Sequence, residues 1–214
     1  MPAKTAPRST DRIRHFTTAT WWRLGSAQRI TRSPRRRKLL RKVVSRFRVI
    51  ESGVPEPAPR AGVSVRTYVK NLARKKALAV ARNVPAGVVL GADTVVSLGG
   101  EHFGKPSSLE EAEAMLRALA GRVHQVATGM CLVQRAGRWR RLVAETTAVT
   151  FRPLGRREIR RYLRATSPLD KAGGYAIQDQ GESIVASIEG SYSNVVGLPV
   201  ERLKEELARI AGGD

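Results

Sequence analysis

Apolar positions recur every three or four residues in five stretches of the chain, which predicts five amphipathic helices. They begin at Ser33, at Ser64, at Ser108, at about Gly155 and near Pro199. The first three follow a serine, a residue that commonly caps a helix N-terminus. In the third helix Leu109, Ala112 and Leu116 are expected to face the core. Lys76 falls on the apolar face of the second helix, so its ammonium must either reach solvent or meet an anion.

Shorter apolar runs predict β-strands between these helices. They cover residues 47–50, 88–90, 123–133, 139–151 and 183–188. The third and fourth runs are joined by a short Gly-containing segment, which favours an antiparallel pair. Asp93 follows the second run directly, in the string Gly91-Ala92-Asp93-Thr94. This string alone fits two interpretations: a turn that ends the strand, or a functional carboxylate at an opening beside the core.

The composition excludes a protein with membrane-spanning helices and a small protein held together by disulfides. With 214 residues the chain can bury a substantial core without help from disulfides. No apolar run approaches the roughly 18 residues of a membrane-spanning helix, and Cys131 is the single cysteine. Because that cysteine lies inside an apolar run, we expect a small buried side chain and a cytoplasmic protein.

The net charge of +21 is unevenly distributed along the chain. Residues 1–48 carry 15 Lys and Arg against one Asp, whereas residues 49–214 carry 24 against 17 acidic side chains. We therefore predict a basic, disordered extension over residues 1–28 and one folded domain over residues 29–214. The extension makes a nucleic-acid-binding protein one alternative, while the moderately basic domain suits an anionic small molecule.

Several polar side chains stand where they could bind a nucleotide. Arg35 and Arg36 lie in the first turn of a helix, whose N-terminus attracts anions, and Lys105 lies between a glycine and a proline. Glu56 lies in a stiff, proline-rich loop. Gln178 ends a polar, glycine-rich string, where its amide could bind a base through one donor and one acceptor. Each also has an ordinary structural interpretation, as a solvated helix end, a loop or a turn.

Eight strings of the chain, in their order and spacing, resemble the Maf family of nucleotide pyrophosphatases. They are Ser33-Pro34-Arg35-Arg36, Val54-Pro55-Glu56, residues 72–77, residues 91–96, Gly104-Lys105-Pro106, residues 121–129, residues 170–178 and residues 189–199. The resemblance covers about residues 30–207. It implies an α/β fold similar to that of the inosine triphosphate pyrophosphatases, with a mixed β-sheet, flanking helices, and two lobes around a central cleft.

The resemblance also implies an activity and a set of site residues. The activity is hydrolysis of a nucleoside triphosphate to the monophosphate and pyrophosphate, with a divalent metal cation, Mg²⁺ or Mn²⁺. Asp93 would be the catalytic carboxylate, as general base or metal ligand, and Glu56 would be a second acid at the metal. The substrate-binding residues would be Thr31, Ser33, Arg35, Arg36, Lys76, Lys105 and Gln178. The ending Tyr175-Ala176-Ile177-Gln178 resembles the branch that acts on dTTP and UTP, which we therefore favour.

Two residues depart from the family pattern. Thr31 replaces a serine but keeps a hydroxyl, and Arg32 adds bulk and charge beside the expected nucleotide site. Three alternatives remain: hydrolysis of methylated GTP, a basic nucleic-acid-binding protein, and a nucleotide-binding regulator of cell division without turnover. The resemblance further suggests a homodimer, and neither the sequence nor the resemblance suggests a membrane.

Overall fold

A mixed β-sheet runs through the domain. The computed structural model describes residues 27–30, 33–57, 62–134 and 140–212. Its strands are β1 (Ala27–Ile30), β2 (Phe47–Val49), β3 (Val88–Leu98), β4 (Glu101–Phe103), β5 (Val123–Gln134), β6 (Arg140–Phe151) and β7 (Val185–Glu189). Within these ranges they form one sheet in the order β2-β1-β3-β5-β6-β7, with β4 paired to β3. Because β1 is parallel to β2 and β3 while the other pairs are antiparallel, the predicted mixed sheet is confirmed.

Helices flank the sheet, as expected. They are α1 (Pro34–Arg41), α2 (Val65–Ala81), α3 (Leu109–Leu119), α4 (Arg156–Ala165), α5 (Gly181–Ile184), α6 (Tyr192–Val196) and α7 (Val200–Gly212). The hydroxyls of Ser33, Ser64 and Ser108 each accept a hydrogen bond from the backbone N–H three residues later, which confirms the three predicted caps. None of the helices in the described ranges is both long and apolar enough to cross a membrane.

Two predictions about the elements are wrong. Leu109 is 52% exposed, because the packed part of its helix face begins at Ala112. The strand predicted over residues 183–188 begins later, since α5 occupies its start and β7 starts at Val185. At the other end of the chain, β1 begins at Ala27, two residues before the predicted start of the domain. Residues 1–26 of the predicted extension lie outside the described residues, as do Thr31 and Arg32.

Asp93 lies in the middle of β3 rather than at its end. The strand continues to Leu98, and Asp93 is paired with Gly129 on β5. The β-branched pairs on both sides of the string keep the backbone extended through the core, so a turn at this place is excluded. Asp93 is therefore a carboxylate inside a central strand, where burial makes its charge costly.

Helix α2 packs directly on the sheet because two glycines face it. A Cβ built on Gly91 would collide with the carbonyl of Ala73, and one built on Gly129 would collide with the carbonyl of Val69. Only glycine allows a helix backbone to approach a strand this closely. The same approach brings the α2 side chains that face the sheet within reach of the middle of β3.

We expect Gly129→Ala to lower the free energy of unfolding by about 1–3 kcal/mol, because the added methyl must push α2 away from β5. Urea unfolding would measure the change. Gly104→Ala is the matched control, since a methyl at Gly104 meets no atom within 4 Å and its expected change is within about 0.5 kcal/mol. Equal unfolding midpoints for the two variants would contradict the close approach of α2.

Candidate active site

A pocket of about 590 Å³ opens beside the middle of β3. That volume is in the range of pockets that bind small ligands. The N-terminus of α1, the loop after β2, the middle of β3 and the segment 170–178 contribute to its wall. Every predicted site residue in the described ranges lines it: Ser33, Arg35, Arg36, Glu56, Lys76, Asp93, Lys105 and Gln178. The fold thus gathers all of these groups in one place.

Lys76 joins the two predicted catalytic carboxylates. Its Nζ lies 2.5 Å from Oε1 of Glu56 and 2.5 Å from Oδ1 of Asp93. The side chains of Lys76 and Asp93 are 9% and 6% exposed, whereas that of Glu56 is 43% exposed. The interpretation of Lys76 as a lysine that reaches solvent is therefore wrong, because its ammonium meets two anions at the pocket wall.

The two carboxylates differ in their affinity for a proton. Burial raises the pKa of Asp93 above its usual range, although the charges of Lys76 and Arg36 oppose this shift. Burial also disfavours the charged form of Glu56, but the hydrogen bond from Lys76 and the charges of Lys76, Lys105 and Arg36 outweigh it and lower its pKa. In this pair Asp93 is consequently the group that accepts a proton more readily.

We expect Glu56→Gln to move the acid limb of the pH–rate profile to lower pH. The negative charge of Glu56 raises the pKa of Asp93, so removing it lowers that pKa. If Asp93 is the catalytic base or a metal ligand it must be ionised, and the rate should then fall when the pH drops through its pKa. The measurement is the residual rate of pyrophosphate release against pH, with the exposed Glu182→Gln as control. An acid limb that stays in place or moves to higher pH would contradict this coupling.

Glu56 and Asp93 are the side chains of the pocket that could hold a divalent metal cation. Lys76 contacts one oxygen of Glu56 and one of Asp93, and each carboxylate has a second oxygen. Two carboxylates and one ammonium carry a formal charge of −1 before the nearby positive charges of Arg36 and Lys105 are counted. No group of three or more His, Cys, Asp or Glu side chains suited to a metal occurs within the described ranges. A two-carboxylate set nevertheless suits Mg²⁺, which commonly completes its coordination with water and substrate phosphates.

The two arginines of α1 are held in different ways. Arg36 donates from Nε to the carbonyl of Gly197 at 2.7 Å, and from its terminal nitrogens to the carbonyl of Ala92 at 3.2 Å and Oγ1 of Thr94 at 2.8 Å. At least three of its five N–H groups are therefore donated to the protein. Arg35 has a looser contact, 3.6 Å from a carboxylate oxygen of Asp170. Of the two, Arg35 has more of its donor capacity available to a ligand.

Lys105 and Gln178 are exposed residues of the pocket. Lys105 comes after the β3–β4 hairpin, and Gln178 lies in a turn after the glycine-rich string. The two segments are linked, because the N–H of Gly173 donates to the carbonyl of Gly104 at 2.9 Å. Ser33 contributes its hydroxyl to the cap of α1, so its expected contact with a nucleotide stays a prediction.

His124 is a structural residue of the core. It is 1% exposed, and its Nε2 lies 2.8 Å from the hydroxyl of Tyr175. Burial lowers the pKa of His124 to about 4, which keeps the imidazole neutral. Its ring packs edge-on against Phe151 and Tyr175, in the cluster behind the pocket wall.

Two residues that support the pocket wall, Lys171 and Tyr162, were not among the predicted site residues. Lys171 is 5% exposed and contacts Asp170 at 2.8 Å and Asp179 at 3.5 Å, besides the carbonyl of Ser167. The Asp170-Lys171 pair in a glycine-rich string was the only signal for it. Tyr162 lies in the core, and its hydroxyl contacts the backbone of Ala176. No signal in the sequence indicates the contact between Tyr162 and Ala176.

Comparison with known proteins agrees with the motifs. The profile described as Maf-like protein matches residues 30–210. A dTTP/UTP pyrophosphatase of Myxococcus xanthus is 50% identical over 168 residues, which cover 78% of this chain and 84% of that protein. Proteins of the same name from Carboxydothermus hydrogenoformans and Thermococcus onnurineus are 44% and 45% identical, over 83% and 79% of this chain and 94% and 89% of their own lengths. The chain belongs to the Maf family.

Proposed function

We propose that this protein hydrolyses nucleoside triphosphates, with dTTP and UTP as the preferred substrates, to the monophosphate and pyrophosphate. The observation that carries the proposal is the Glu56–Lys76–Asp93 cluster at the wall of a pocket. The same pocket is lined by Arg35, Lys105 and Gln178. The name dTTP/UTP pyrophosphatase that similar proteins carry supports the same substrates.

The charges of the pocket suit a triphosphate bound through a cation. The cluster of two carboxylates and Lys76 carries −1 and would repel phosphate on its own. Glu56 and Asp93 would hold a divalent cation, which when bound neutralises phosphate oxygens and lowers the pKa of a water molecule. Arg35 and Lys105 supply positive charge elsewhere in the pocket, and Arg35 lies in the first turn of α1, where backbone N–H groups also favour an anion.

The reaction requires water to attack the α-phosphorus while the bond from that phosphorus to the α–β bridging oxygen breaks. Pyrophosphate leaves with the bridging oxygen, and the water oxygen stays on the monophosphate after losing its proton. Asp93 is suited to receive this proton directly or to fix the water that loses it, because it is buried, its pKa is raised by that burial, and it lines the pocket. Lys76 fixes the orientation of Asp93 in either role.

Base preference rests on Gln178. A side-chain amide offers one donor group and one acceptor, which matches the adjacent N–H and carbonyl of thymine and uracil. Cytosine presents a different pattern on the same edge. Gln178 would thereby favour dTTP and UTP over CTP.

A panel of triphosphates tests the proposal. Purified protein with Mg²⁺ or Mn²⁺ is assayed for pyrophosphate and monophosphate from dTTP, UTP, CTP, GTP, ATP and methylated GTP. We expect dTTP and UTP to give the highest kcat/KM. Release of orthophosphate instead of pyrophosphate, or preference for methylated GTP, would refute the proposed reaction or substrate. The same panel is run with a shortened protein that begins at Ala27. This protein keeps all of β1 and lacks the basic residues before it, so the comparison measures their contribution to activity.

A further inference from the structure

Gln178 lies in a turn whose two ends are tied to the domain. The N–H of Asp179 donates to the carbonyl of Ala176 at 3.1 Å, which closes a four-residue turn over residues 176–179. We name this segment the base-facing turn. Gln178 is its third residue, is exposed and lines the pocket. The position of its amide therefore depends on what holds the ends of the turn.

Tyr162 holds the first end. Its hydroxyl accepts a hydrogen bond from the N–H of Ala176 at 3.0 Å and donates one to the carbonyl of the same residue at 3.2 Å. Both backbone groups of Ala176 are thus fixed by one side chain that lies 14 residues earlier on α4. Tyr162 is itself 2% exposed and packs in the core with Ile159 and Phe151, so it is a rigid support.

The hydroxyl of Tyr162 keeps both bonds over the working pH range. Burial raises the pKa of Tyr162 to about 12, so the group stays a neutral hydroxyl, with one proton to donate and lone pairs to accept. A phenylalanine in its place would fill almost the same volume but would leave the N–H of Ala176 without this acceptor. Loss of the hydroxyl therefore acts on the turn and leaves the packing of α4 in place.

Lys171 holds the second end of the base-facing turn. Its Nζ lies 3.5 Å from a carboxylate oxygen of Asp179 and 2.8 Å from one of Asp170. It is 5% exposed, whereas the two aspartates are largely exposed, so the buried ammonium draws both ends of the segment 170–179 toward the domain. These two supports hold the backbone on both sides of Gln178, and so fix the point from which its side chain extends into the pocket.

From this arrangement we propose that Tyr162 is a positioning residue that sets the nucleoside selectivity of the pocket by fixing the base-facing turn. The inference rests on the proposed function and deepens it. Within the described residues, the hydrogen bonds of Tyr162 go to Ala176 and Thr166 and not to the carboxylate cluster, so we expect its effect on recognition of the base rather than on the chemical step. An amide held in one position binds the matching base more tightly than other bases, whereas a mobile amide discriminates less between them.

The test is Tyr162→Phe, assayed with UTP and CTP. We expect kcat for UTP to stay within about twofold, KM for UTP to rise, and the UTP-over-CTP ratio of kcat/KM to fall by roughly tenfold. Tyr192→Phe is the matched control: it removes a hydroxyl from a 49% exposed tyrosine outside the pocket, and its ratio should equal that of the wild type. A purely structural role of Tyr162 would lower kcat/KM for both nucleotides equally, and an unchanged ratio would overturn the inference.

Two further measurements keep the inference separate from the proposed reaction. Equilibrium binding of α,β-imido analogues of UTP and CTP gives the same selectivity ratio without hydrolysis, so a wild type that binds but does not hydrolyse would refute the reaction and still test Tyr162. If Tyr162→Phe does not fold, Asp179→Ala loosens the same turn from its exposed end. A UTP-over-CTP ratio that remains at the wild-type value in Asp179→Ala would then overturn the inference.

Discussion

Asp93→Asn is expected to lower the rate of pyrophosphate release from dTTP and UTP by about 10²- to 10⁴-fold. Asparagine has nearly the same shape but accepts no proton at neutral pH and is a weak ligand for a hard cation, so both candidate roles of Asp93 disappear together. The fold should persist, because burial already disfavours the charge of Asp93 and Lys76 keeps Glu56 as a partner.

The measurement for Asp93→Asn combines the rate with thermal unfolding and with binding of a non-hydrolysable UTP analogue. Glu145→Gln removes a negative charge from β6, away from the pocket, and should leave the rate unchanged. A folded Asp93→Asn protein that turns over within about twofold of the wild type would refute the catalytic role of this carboxylate.

Lys76→Met is expected to destabilise the domain as well as to inactivate it. Removing one partner of a buried ion pair costs about 3–5 kcal/mol, because the remaining charge stays buried without compensation. Here the remaining charge is Asp93, whose side chain is 6% exposed. Lys75→Met is the matched control: the neighbouring lysine is exposed, and the same substitution there should change the free energy of unfolding by less than about 0.5 kcal/mol.

The difference in free energy of unfolding between the wild type and Lys76→Met should become smaller as the pH falls. Without Lys76 the pKa of Asp93 rises further, so acid neutralises the buried carboxylate of the variant first. In the wild type Glu56 has a lowered pKa, so its stabilising contribution is lost as the pH falls through that pKa. Both effects bring the free energies of unfolding of the wild type and of Lys76→Met closer to each other at low pH. Urea unfolding at several pH values would measure this, and a deficit that is constant with pH would contradict the buried pair.

Local rules accounted for much of the fold. Ser33, Ser64 and Ser108 were recognisable as caps because a hydroxyl before an apolar period satisfies backbone donors nearby in sequence. Lys76 was recognisable on a buried face from helical spacing alone. Such features depend on residues within one or two turns of each other, which is the range over which a single sequence is informative.

Other features depended on partners that are distant in sequence. Gly-Ala-Asp-Thr contains turn-forming residues, but β5 pairs with it residue by residue and keeps β3 extended through Asp93. The sequence placed Lys76 among apolar neighbours without identifying Glu56 and Asp93 as its partners. Likewise Tyr162 has the pattern of a core residue, and only the tertiary fold brings its hydroxyl to Ala176. Arg36 was expected to bind phosphate. Its place in the first turn of α1 is visible in the sequence, but the three protein acceptors of its N–H groups are not.

The contacts of Arg36 also bear on when the pocket can form during folding. Arg36 and Gly197 are separated by 161 residues, and Arg36 and Thr94 by 58. Contacts of such long range carry a large loop-closure cost and slow the search for the native state. A chain still emerging from the ribosome, or one cut before residue 197, holds Glu56, Lys76 and Asp93 but lacks the carbonyl that anchors Arg36. The wall of the pocket around Arg36 therefore cannot be completed before residue 197 has been synthesised, and chains cut before that residue lack this anchor.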